Sequence, residues 1–102
     1  MAVTIKAENN AEKSAWDIKL SGEIDISNAD QVKAKIDSSL AEAKQNILID
    51  LSGLTYIDST GLGVFIAAHS SLKKEGLGVK VYGATGSVKK LLTVSSLDKI
   101  LS

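Results

Sequence analysis

The chain has 102 residues, 44% of them apolar, and its twelve basic and twelve acidic side chains cancel without forming a long block of either sign. That balance, with only one Trp, one Phe and two Tyr, argues against a nucleic-acid partner, which demands a basic excess or an aromatic stacking platform. The absence of cysteine removes disulfides and thiolate metal sites outright. The length fits one domain, residues 1–102, with a single core. The start, Met1-Ala2-Val3-Thr4-Ile5-Lys6, lacks the apolar core of a signal peptide, and no apolar stretch approaches membrane-spanning length. A cytoplasmic protein without direct membrane contact is the expectation.

Val3, Ile5 and Ala7 alternate with polar residues, the period of a half-buried strand, and the polar run Asn9–Ser14 ends it as a hairpin loop. Trp16, Ile18 and Leu20 repeat the pattern, so a second, antiparallel strand is predicted. Ser27 or Asn28 can cap a helix whose apolar stripe is Ala29, Val32, Ile36, Leu40 and Ala43. Ile47-Leu48-Ile49 is consecutively apolar and suits a central strand covered on much of both faces. Leu51, Leu54 and Ile57 carry the apolar pattern on to Asp58. A second helix is predicted from Ser59 or Thr60 to Glu75, with Leu62, Phe65, Ile66, His69 and Leu72 along one face and Gly76-Leu77-Gly78 as its stop. Val79 and Val81 form a fourth strand, Val88, Leu91 and Leu92 mark a third helix, and Leu97, Ile100 and Leu101 supply one last short element. Strands alternating with helices imply an α/β layer fold.

Most catalytic chemistry can be set aside. Ser59 and the single histidine, His69, are ten residues apart on one helix, roughly 15 Å at about 1.5 Å per residue, far beyond the reach a nucleophile and its base require. One histidine and scattered carboxylates make a poor transition-metal site, so His69 reads as a packing residue. Gly83–Lys90 lies between a strand and a helix but lacks the spacing of a phosphate loop. A turn followed by a solvated basic pair explains it. Asp25 and Asp58 can share one sheet edge, where capping and loop hydrogen bonds compete with a role in shaping a site.

The informative run is Ile49-Asp50-Leu51-Ser52-Gly53-Leu54-Thr55-Tyr56-Ile57-Asp58-Ser59-Thr60-Gly61-Leu62-Gly63. A strand delivers an acidic-hydroxyl cluster to a helix start, where backbone N–H groups are free and the local field is positive. Ser59 there is either a cap or a regulatory hydroxyl, and Thr60 or Asp58 can cap equally well. Gly61 and Gly63 either admit a close approach by another protein or serve helix–sheet packing.

This run, with Gly22-Glu23-Ile24-Asp25 upstream, resembles the STAS family, and within it the free-standing bacterial anti-sigma factor antagonists controlled by serine phosphorylation. The resemblance covers almost the whole chain, to Leu97-Asp98-Lys99-Ile100. It implies a mixed four- to five-stranded sheet with helices mainly on one side. It makes Ser59 the phosphoacceptor, with Thr60 the weaker candidate. The implied docking surface is Asp25, Ser27 and Asn28, Asp58 to Gly63 (Leu62 included), and the exposed face of the second helix. Three departures stand out: the chain ends where many antagonists continue into another helix, Gly86 stands where Pro is common, and Ser96 stands where Gly is common.

The resemblance further implies a partner-switching circuit. The unphosphorylated form would bind an anti-sigma factor and release a sigma factor. That anti-sigma factor would also be the serine kinase, and a serine phosphatase would reset the switch. The chain itself would be no enzyme and would need no cofactor or metal. The rival reading is a constitutive STAS interaction or scaffold module of a larger regulatory or membrane-associated complex. A small nucleotide-binding protein is a third, resting on Gly83–Lys90 alone.

Overall fold

In the computed structural model, which describes residues 2–95 and 97, seven elements follow in the order β1 (Val3–Asn10), β2 (Ala15–Ile24), α1 (Ala29–Glu42), β3 (Asn46–Ile57), α2 (Ser59–Lys73), β4 (Val79–Tyr82) and α3 (Gly86–Val94). The sheet order is β1-β2-β3-β4. The first pair is antiparallel and the other two are parallel, so the sheet is mixed as predicted, with four strands among the described residues. The last predicted element, at Leu97, Ile100 and Leu101, falls outside the described residues except for Leu97, which is buried. Ser96 also lies outside them. Among the described residues no helix is long and apolar enough to cross a membrane.

The core forms where alternate strand residues meet the apolar stripes of the helices. Ile18 and Leu20 of β2, with Ile47, Ile49 and Leu51 of β3, pack against Val32 and Ile36 of α1, Phe65 and Leu72 of α2, and Val88 and Leu92 of α3. The opposite sheet face carries Lys6, Glu8, Asp17, Lys19, Asp50 and the half-exposed Tyr82. Consecutive apolar residues at 47–49 therefore do not mean cover on both faces: Leu48 points away from the helices and is only partly buried. The expected stripe of α2 also narrows, because Ile66 is 37% exposed.

The three-residue spacing of Leu51, Leu54 and Ile57, odd for a strand, has a direct cause. Lys19 pairs with Asp50 but Ser21 with Gly53, and Gly22 pairs with Leu54 but Glu23 with Tyr56. Each step inserts one extra residue into β3, a bulge that resets the alternation. All three side chains consequently stay buried on the core face.

Polar contacts also fix α1 and α2 to the sheet. The Trp16 indole N–H donates to the Ala43 carbonyl at the end of α1 (2.8 Å). His69 accepts from the Val79 backbone N–H through Nδ1 (3.0 Å), joining α2 to the start of β4. That packing duty accounts for the histidine.

Gly22 adopts a φ of +96°, and a Cβ there would run into the Ala2 carbonyl oxygen. Only glycine suits that conformation at low cost, which explains the glycine of the Gly22–Asp25 run. The pair in α2 divides. A Cβ on Gly61 would sit 2.7 Å from Ile57 and 2.8 Å from Ile24, whereas one on Gly63 would meet open space. Gly61→Ala is accordingly expected to lower stability by about 1–3 kcal/mol through overpacking. Gly63→Ala should be neutral or raise it by up to about 1 kcal/mol. Urea unfolding midpoints of the two variants check both signs.

Candidate functional site

Strands β2 and β3 run parallel and pair Ile24 with Ile57, so the residues that follow, Asp25 and Asp58, leave the sheet at the same edge. The Asp58 backbone N–H donates to the Ile24 carbonyl (3.3 Å), stitching the two exits together. Helices α1 and α2 both begin at this edge, and their free N–H groups give it a positive field.

The β2 exit forms a tight loop. The Asp25 carboxylate accepts from both the Ser27 hydroxyl and the Ser27 backbone N–H (2.9 Å for the latter). These bonds, the hydroxyl's first, hold the Asp25 carboxyl below the usual carboxylate range and keep it ionised. Asn28 occupies the N-cap position of α1, yet its side chain does not cap the helix. Its Oδ1 accepts from the Asp25 backbone N–H (3.0 Å), and its Nδ2 donates to the Glu23 carbonyl (2.8 Å). Only 2% exposed, Asn28 clamps the end of the strand from beneath. Ser27 is exposed above it.

At the β3 exit, three residues were equivalent as caps from sequence, and the structure selects Asp58. Its Oδ1 accepts from the backbone N–H groups of Thr60 (3.0 Å) and Gly61 (3.2 Å). Ser59 is therefore the first helical residue, exposed, and among the described residues its hydroxyl makes no hydrogen bond. Thr60 is exposed beside it, and Gly63 lies open one turn further on. Gly61 and Leu62 face inward and are buried. Of the nine residues expected to form the surface, Asn28, Gly61 and Leu62 are buried beneath it, Asp25 and Asp58 are half-buried, and Ser27, Ser59, Thr60 and Gly63 are exposed on it.

Each of the two carboxylates is held by its own loop, Asp25 by Ser27 and Asp58 by the first turn of α2. At the neighbouring Gly83–Lys90 turn, the Ser87 hydroxyl donates to the Thr55 carbonyl (3.2 Å), and Lys89 and Lys90 are exposed. That is the turn and basic pair expected from sequence.

One residue escaped sequence reasoning. Ile26, between Asp25 and Ser27, is 79% exposed. Its spacing from the buried Ile24 matches the alternation of β2, which would place it in the core. The strand ends at Ile24, and the Asp25–Asn28 loop turns the side chain outward. The surface thus combines an apolar projection, an ionised carboxylate and several hydroxyls.

The STAS domain family model matches residues 6–102. An anti-sigma-B factor antagonist of Listeria monocytogenes is 34% identical over 87 residues, covering 83% of this chain and 75% of the relative. The anti-sigma-B factor antagonist of Bacillus subtilis is 32% identical over 84 residues, covering 82% and 76%. Among solved structures, the chain is similar to an anti-sigma factor antagonist from Mycobacterium paratuberculosis, with a TM-score of 0.80 and 26% identity over 98% of this chain and 83% of that one. With the family model matched over residues 6–102 and relatives above 30% identity over most of its length, the chain belongs to the STAS domain family.

Proposed function

We propose that this chain is an anti-sigma factor antagonist whose docking is switched by phosphorylation of Ser59. The observation that carries the reading is the division of labour at the head of α2. Asp58 does the capping, which leaves Ser59 exposed and its hydroxyl unengaged among the described residues. A serine kept for helix stability would be bonded to the first turn. The names of the relatives supply the partner class, an anti-sigma factor; our reading makes that factor the serine kinase and adds a serine phosphatase to reverse it. The chain is their substrate in the cytoplasm.

Phosphorylation adds about −1.5 to −2 charges at neutral pH. The helix N-terminus favours that charge, while Asp58 and the ionised Asp25 oppose it, so the fold is little affected. A partner lying over Ser59 meets an unpaired dianion in a desolvated interface instead. A penalty of about 3 kcal/mol there lowers affinity about a hundredfold. The switch acts by spoiling a surface and needs no refolding.

Paired baits test this in a lysate of the native organism. Ser59→Ala is expected to retain an ATPase-type anti-sigma factor, and Ser59→Asp to lose it, with both variants equally folded by circular dichroism. Equal recovery of the same proteins would instead support the constitutive scaffold. Asp58 gives a second check. Asp58→Ala is expected to cost about 0.5–2 kcal/mol of stability, read from urea unfolding. Asp58→Asn keeps the cap acceptor, so stability should hold while affinity for the captured partner falls. Unchanged affinity would confine Asp58 to capping.

A further inference from the structure

The far end of the molecule carries a separate cavity of about 460 Å³, within the size range of small-molecule sites. It lies where β2, β3 and β4 begin and α2 ends, opposite the edge that bears Ser59. Lys13 of the β1–β2 turn, Lys73 at the end of α2 and Lys80 of β4 all line it, and no carboxylate does. Among the described residues none of these three lysines has an ion-pair partner. In a chain with a formal net charge of zero, three uncompensated cations around one concavity build a local positive potential.

The rest of the lining is suited to something other than a bare ion. Leu48 and Leu77, both partly buried, give an apolar floor. Leu48 is the residue that the one-sided sheet leaves without a helix over it. His69 also lines the cavity. Its Nδ1 is committed to the Val79 N–H (3.0 Å), which leaves Nε2 as the ring's donor. That bond and the Asn46 Oδ1 that accepts from the Gly78 N–H (3.0 Å) hold one wall in place before any ligand arrives.

We propose that this cavity binds a small organic anion with one apolar group, its charge held by Lys13, Lys73 and Lys80 and its body lying on Leu48 and Leu77. Lysines act as point charges and suit a phosphate or a carboxylate equally. The site is independent of the Ser59 surface, so the fate of one proposal does not decide the other.

Phenyl phosphate and inorganic phosphate serve as probes, titrated into the ¹⁵N-labelled full chain. Phenyl phosphate should shift the amides of His69, Gly78, Val79 and Lys80 saturably, in the unmodified chain and in Ser59→Asp alike. Inorganic phosphate should bind at least tenfold more weakly, since it cannot use the apolar floor. The double variant Lys73→Gln/Lys80→Gln should weaken phenyl phosphate at least tenfold. Lys89→Gln/Lys90→Gln, which removes the same charge from α3, should leave it unchanged. Absence of saturation into the millimolar range would overturn the proposal. So would equal binding of the two probes, or equal loss in the two double variants.

Discussion

The parallel pairing of β2 with β3, in the register that sets Ile24 opposite Ile57, is the constraint on which the rest depends. It brings the Asp25 and Asp58 exits to one edge and starts both long helices there. A parallel pair requires a crossover, which α1 provides. Residues distant in sequence therefore form one surface, Ser27 on one side and Ser59 on the other. The two bulges in β3 matter for the same reason. The first turns Leu54 to the core face, and the second restores the original alternation, so that Ile57 is also buried just before the exit at Asp58.

Within that frame, the side chain of Asp58 has a definite use. Its carboxylate satisfies two of the N–H groups that a helix start leaves unpaired, so the neighbouring serine can be spared from structure. Regulation by a covalent charge works best at such a position, where the modified atom contributes little to folding and much to an interface. Gly61, packed against Ile24 and Ile57, draws the first turn close to the sheet and holds Ser59 at a fixed height above it.

Much of this was legible in the sequence. The alternation at Val3–Ala7 and Trp16–Leu20 marked both strands of the first hairpin, and the Asp58-Ser59-Thr60-Gly61 run marked the head of α2. The misreadings have physical causes. Ile47-Leu48-Ile49 reads as a strand buried on both faces because composition does not record which face the helices take. Ile26 drew no reading from the sequence, since alternation cannot register a strand that stops at Ile24. Asn28 reads as a helix cap, whereas its carboxamide serves the strand end, a choice made by the backbone geometry of the loop and invisible in residue type. Nor could residue type alone choose among Asp58, Ser59 and Thr60 as the cap.

Amide hydrogen exchange, compared between the chain phosphorylated at Ser59 and the unmodified chain, tests the central claim most directly. If phosphate acts by changing a surface, altered protection should be confined to residues 25–28 and 58–63. The amides of Ile18, Leu20, Ile47 and Ile49 should then exchange alike in both forms. Loss of protection across those core strands would mean that the phosphate acts by unfolding the domain, and would contradict the account.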